Sequence, residues 1–159
     1  VTGLIGHFYD EERFEEIVSL VGRAERDGSF TKPDQRAKLR YSAGMASFQM
    51  GELEKAIEAL EEALRLDPSL LHIHHVLGMV FLRHGDYFQA IARWKFALSS
   101  EWARHADPSS LLYAHLGLGQ AYEKLGRYSD ALAEYLRASQ IDPSNGTVAL
   151  RIRKVSEKL

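Results

Sequence analysis

Three stretches decide how this chain folds: "GELEKAIEALEEALRLDP" from Gly51 to Pro68, "GDYFQAIARWKFAL" from Gly85 to Leu98, and "GRYSDALAEYLRASQIDP" from Gly126 to Pro143. Gly44, Gly78 and Gly119 stand seven residues before the three opening glycines, and Ala56, Ala90 and Ala131 stand five residues after them. From the first copy to the second every mark moves by 34 residues, and from the second to the third by 41. A fixed spacing of this size is the signature of a repeat array in which each unit is one supersecondary element. Gly51, Gly85 and Gly126 interrupt an otherwise helical pattern. They can take the positive φ that closes a helix before a turn, so each copy reads as two helices. Gly44, Gly78 and Gly119, with the alanines, mark places where neighbouring helices come close. Asp67-Pro68, Asp107-Pro108 and Asp142-Pro143 punctuate the other junctions, because proline is tolerated in the first turn of a helix but not in its interior.

Composition bounds what such an array can do. The 159 residues are 45% hydrophobic and 26% charged, with no long polar or low-complexity run. That suits one soluble domain burying roughly 70% of its unfolded surface. Twenty basic side chains against 22 acidic ones give a formal charge of -2 and a pI of about 6.4, without the global charge expected of a nucleic-acid or anionic-membrane binder. Cysteine is absent, which removes disulfides, thiolate metal sites and cysteine nucleophiles and leaves the redox compartment open. No apolar run approaches the roughly 20 residues that span a bilayer, and no charged-then-apolar leader precedes Leu4. The chain opens on Val1 rather than Met, which leaves open whether it is a whole protein or an excised piece. A cytoplasmic setting is expected, with a periplasmic or membrane-tethered parent chain as the alternative.

The repeated residues resemble the tetratricopeptide repeat. The third copy, Leu112 to Asn145, carries its pattern in Gly119, Tyr122, Ala131, Tyr135, Ala138 and Pro143. The first, Ala37 to Leu70, carries it in Gly44, Ala56, Leu60, Ala63 and Pro68, with Ser47 where an aromatic is usual. The second matches at Gly78, Phe81, Ala90, Trp94 and Ala97 and then departs; the Trp usual near the start of each copy is Arg40, His74 and His115 here. The resemblance implies an all-α, right-handed solenoid of antiparallel helix pairs forming a single domain over 1–159. Its parts would be a degenerate N-terminal pair (1–31), repeats at 37–70, 71–111 and 112–145, the second carrying a seven-residue extension, and a capping helix (146–159).

In the second copy Trp102 stands where the family has proline. The helix is therefore expected to run on through "SSEWARHA" to Asp107-Pro108, with Trp94, Leu98 and Trp102 on one stripe. Trp102 is read as packing near Leu111 and Leu112, or alternatively as an exposed secondary contact for a partner. At the front, Phe14, Ile17, Val18 and Val21 recur at helical spacing, with Asp10 as the expected N-cap and Glu11 and Glu12 at the positive end of the dipole. At the far end Val148, Ile152, Val155 and Leu159 form an apolar stripe backed by Arg151, Arg153, Lys154 and Lys158, the polar-backed cap that repeat arrays need.

Function in such a fold comes from its surfaces. The family lines its concave side with the first helix of each repeat, which maps the partner-binding face onto Tyr41, Met45 and Phe48, then His75, Met79 and Leu82, then Tyr113, Leu116 and Gln120. Chaperone-binding members hold a C-terminal carboxylate there with Lys, Asn and Arg. This chain has Tyr41, Met45, Val76, Tyr113 and Gly117 at those places, so a clamp of that kind is not expected. The mapped face calls for an apolar or amphipathic segment held by adaptable Met and aromatic contacts. Two alternatives stay open, cover by the chain's own N-terminal helices and association with another copy through the acidic Asp10–Asp27 helix and the basic final helix.

Chemistry is not expected. His72 and His75 share a helical face, but a stable metal site needs three or four ligands and no second cluster accompanies them, so neither metal nor cofactor is assigned. A milder role in pH-sensitive binding follows from the histidine titration range. Glu58, Glu61 and Glu62 lie on a second, convex helix, where Glu61 and Arg65 are spaced as an i, i+4 pair. No phosphate loop, nucleophile elbow or zinc-protease pattern occurs.

Overall fold

The computed structural model describes residues 2–28 and 32–159, with side chains from residue 5 onward. Among the described residues there are ten helices and no strand. No helix among them is long and apolar enough to cross a membrane. The chain divides into two compact units, Val1–Ile73 and His74–Leu159.

The first unit holds α1 (Thr2–Asp10), α2 (Phe14–Arg26), α3 (Pro33–Gln49), α4 (Leu53–Leu66) and the first residues of α5 (His72–His84). Ile5, Ile17, Val21, Leu39, Ala43, Ala46 and Ala59 form its core, with Phe8, Tyr9, Phe14 and Val18 packed around them. Ala43 and Ala46 on α3 and Ala59 on α4 keep side chains small where the two helices lie close together. A Cβ on Gly44 would stand 2.7 Å from Leu60 Cγ, so glycine is the residue that permits the approach.

Four of the turns that close helices share one design. After α3, Gly51 adopts φ +79°, its N–H donates to Phe48 O, and Glu52 N–H donates to Ser47 O, which is the paired bonding of a Schellman cap. Gly85 and Gly126 repeat it at φ +92° and +71°, with Asp86 N–H reaching Phe81 O and Arg127 N–H reaching Tyr122 O. The same cap closes α1, with Glu12 at φ +56° in place of glycine: Glu12 N–H donates to Tyr9 O and Arg13 N–H to Phe8 O. Even the accompanying side-chain contact recurs, Arg13 lying 4.7 Å above the Phe8 ring and Arg127 4.6 Å above Tyr122.

This corrects the reading of the N-terminal segment. Asp10 ends α1 rather than capping α2, whose N-cap is Arg13 with no side-chain capping bond; Glu15 and Glu16, not Glu11 and Glu12, occupy the first turn of α2. On α4 the Arg65 guanidinium forks onto both oxygens of Glu62, three residues before it, at 2.7 and 2.8 Å.

The second unit holds the rest of α5, then α6 (Tyr87–Ser99), α7 (Trp102–His105), α8 (Pro108–Lys124), α9 (Tyr128–Ile141) and α10 (Gly146–Ser156). Trp94 is its central residue, fully buried between two glycines. A Cβ on Gly78 would meet the indole at 2.6 Å and one on Gly117 at 2.3 Å. Tyr135 fills the same role against Gly119. Leu112, Ala138 and Val148 join α8, α9 and α10 in one cluster edged by Leu116, Ile141 and Ile152.

The continuous helix expected through Trp102 is not formed. At Ser100 the backbone turns extended (ψ 173°); its hydroxyl donates to Ala97 O at 2.7 Å and accepts from Trp102 N–H at 3.3 Å. Serine hydroxyls that bond to nearby backbone compete with the helix in this way. A single turn, α7, follows, and Asp107 then caps α8 by accepting Ser110 N–H at 2.9 Å, with Pro108 in the first turn. The final stripe is shorter than expected too, because α10 ends at Ser156 and Leu159 lies beyond it, exposed.

Candidate protein-binding surface

In the first unit the mapped residues sit on α3. Phe48 is buried, whereas Tyr41 and Met45 are half-buried. The Tyr41 ring meets His72 edge-on at 5.0 Å. Burial pushes the Tyr41 hydroxyl upward in pKa and pulls the His72 imidazole downward. Next to them Tyr9 of α1 donates its hydroxyl to Ser42 O at 2.9 Å; burial and the neighbouring Tyr41 both push the Tyr9 hydroxyl upward. A recess of about 580 Å³ remains between α1 and α3, with Ile5, Tyr9, Lys38, Leu39 and Ser42 on its walls. The N-terminal helix therefore already lies along part of the α3 surface.

In the second unit the mapped residues sit on α5 and α8. Met79 and Leu82 on α5, with Leu116 and Gln120 on α8, are half-buried, and Tyr113 is 58% exposed. Tyr113, Leu116 and Gln120 follow one another at i, i+3, i+7 and so share one face of α8. Ala114, Leu118 and Ala121 turn away from that face into the core, while Leu112 joins the α9–α10 cluster that Leu116 edges. The side left toward solvent presents an aromatic ring with a half-buried leucine and amide beside it.

His75 belongs to the interior instead. It is 8% exposed, its Nδ1 accepts the Trp94 indole N–H at 3.3 Å, and the Trp102 ring stacks on it at 5.0 Å and 19°. Trp102 is therefore half-buried over His75. Desolvation lowers the His75 pKa to about 4, with the Asp107 carboxylate opposing the shift. Its place in the mapped face came from register alone. Register says which side of a helix a residue is on, but not what an insertion lays over it.

Some surface features lay outside the sequence reading. Phe88, 72% exposed, and Phe96 lie eight residues apart on α6, where a repeat-based mapping looks for no contact; Phe96 touches the His74 ring at 4.2 Å. On α8 and α9, His115 Nδ1 lies 2.8 Å from Glu134 Oε2, and Arg137 is hydrogen-bonded to the other oxygen of that buried carboxylate. These polar groups satisfy one another, as buried polar groups must.

Comparison with known proteins agrees with the helix-pair reading. Profiles described as "TPR repeat" and "Tetratricopeptide repeat" match residues 44–85 and 75–146. The TPR repeat-containing protein MJ1428 of Methanocaldococcus jannaschii is 26% identical over 91% of this chain, which spans 23% of that relative. Less than half the length of each of the first curated relatives is covered. Among solved structures, MamA AMB-1 has a TM-score of 0.78 at 21% identity, covering 97% of this chain and 77% of that one. The first TPR of Spaghetti (RPAP3) bound to HSP90 peptide SRMEEVD has a TM-score of 0.68 at 20% identity, covering 78% and 93%. Such likenesses show the shared fold. With the profile matches, the repeated glycines and the four identical helix caps, the chain belongs to the tetratricopeptide repeat family.

Proposed function

We propose that this chain is a non-catalytic protein-interaction module that takes an apolar or amphipathic segment of a partner against the α5–α8 face of its second unit. The observation that carries the reading is Tyr113. A tyrosine more than half exposed, on the same helix face as Leu116 and Gln120, is the kind of amphipathic ring that concentrates binding energy at protein interfaces. Met79 and Leu82 add adaptable apolar area. The solved relative holding an HSP90 peptide supports peptide capture as something the fold can do.

A second reading applies to the first unit alone. There Tyr9 is bonded to Ser42 and α1 runs beside α3, which favours cover by the chain's own N-terminal helix over an open binding face. Selection of peptides from a displayed random library tests both readings together. Tyr113→Glu should abolish recovery of the peptides selected by the wild-type chain, while Tyr41→Glu should leave recovery nearly unchanged. Recovery insensitive to Tyr113→Glu would remove the binding face from the second unit. The rival of self-assembly through oppositely charged ends predicts a mass that rises with protein concentration at low salt; sedimentation is expected to return an unchanging monomer.

A further inference from the structure

Beside the proposed face the second unit has a recess of about 370 Å³. Leu82 of α5 and Tyr87 of α6 line it with apolar surface, Gln120 of α8 adds an amide, and Lys124, Arg151 and Lys158 bring three cations from α8 and the α10 segment. A single carboxylate, Glu123, is among them and is already engaged. It accepts from the Tyr135 hydroxyl at 2.8 Å and from Arg151 Nη1 at 3.2 Å. Because Tyr135 is fully buried, the Glu123–Arg151 pair is fixed from below and its position does not depend on a ligand. Lys158 Nζ lies 4.9 Å from the centre of the Tyr128 ring, a contact that holds an ammonium without neutralising it.

Helix dipoles explain part of this arrangement. Lys124 is the last residue of α8 and Lys158 follows the end of α10, where the helix dipole favours a cation. That accounts for each lysine separately. It does not explain why cations from two helices converge, with an excess of two positive charges, on a recess walled by Leu82 and Gln120 of the proposed binding face.

We propose that this recess is a carboxylate-accepting subsite, and that the partner segment carries an Asp or Glu side chain adjoining its apolar contacts. The inference rests on the α5–α8 face being the binding face and adds the chemistry of the segment that fills it. An acidic group is favoured over a neutral one by charge complementarity, and the cations stand where an acid could reach them while its apolar neighbours meet Leu82, Met79 and Leu116. The lysines are at helix ends, apart from the places, Tyr113 and Gly117, where chaperone-binding members keep their clamp. Electrostatic contacts of this partly exposed kind set specificity and association rate and weaken with salt.

The test uses the same library of random displayed peptides. Wild-type selections should be enriched in Asp or Glu near apolar residues. A synthetic selected peptide should lose roughly five- to tenfold in affinity when its acid is changed to Gln, the loss expected for two partly exposed ion pairs. Lys124→Glu/Lys158→Glu should lose affinity by a similar factor and regain it for the peptide whose acid is changed to Lys. Helicity by circular dichroism serves as the folding control, since both lysines are exposed. Selected peptides that need Tyr113 but show no acidic preference and no response to the charge reversal would overturn the subsite and leave the face intact. Failure to select any Tyr113-dependent peptide would overturn both.

Discussion

The indole N–H of Trp94 donates to Nδ1 of His75 at 3.3 Å, and the Trp102 ring covers the same imidazole. His75 is thereby held as an acceptor, which requires that ring nitrogen to be unprotonated. Its pKa falls to about 4 in the fold from an ordinary 6.5. An unfolded chain takes up this proton first as pH drops, so the stabilising contribution is complete above about 6.5 and is lost as pH falls through 4. The difference amounts to about 3 kcal/mol. His75→Gln keeps an acceptor without titrating. Urea melts across this pH range should therefore show wild-type stability declining more steeply toward acid than that of the variant; parallel curves would contradict the account.

Gly117 and Gly78 face opposite parts of the Trp94 indole, and a Cβ on Gly117 would come within 2.3 Å of Cη2. Gly117→Ala gains about 1 kcal/mol of helix propensity but forces a fully buried ring to move against Gly78. A net loss of about 2 kcal/mol in equilibrium unfolding is expected. Ala at the surface glycine Gly146, where a Cβ meets nothing within 4 Å, makes the comparison.

Glu12 occupies the left-handed position that Gly51, Gly85 and Gly126 fill in the other caps. A side chain there costs about 1 kcal/mol relative to glycine. Glu12→Gly should raise stability by about 0.5–1 kcal/mol, read as a higher urea midpoint with unchanged slope. A midpoint that falls would mean that the cap is not strained.

The same residue explains how much of the fold was legible beforehand. Three copies announced themselves because their caps carry glycine, and the close contacts at Gly44, Gly78 and Gly119 followed from the same spacing. The N-terminal pair has the same bonding with Glu12 in the left-handed position, so the glycine punctuation is missing and the sequence favours Asp10 as a helix start. At Ser100 two serines carried the only local sign of a break. Without the serine hydroxyl's bonds to Ala97 and Trp102, helical periodicity pointed straight through. The binding face was legible as a register but not as a surface. Periodicity placed Tyr113 and Leu116 on one side of α8, yet could not reveal that Trp102 folds over His75 or that Tyr9 reaches Ser42, since both contacts join residues far apart in sequence.

Site-specific photo-crosslinking tests the central claim most directly. A benzophenone side chain would be placed at Tyr113 on the proposed face or at Phe88, the more exposed aromatic on α6, with the best library-selected peptide as probe. The account predicts a crosslink from the Tyr113 position, competed by unlabelled peptide, and none from Phe88. Efficient crosslinking at Phe88 with none at Tyr113 would contradict it, because the peptide would then lie on the second helix of the repeat.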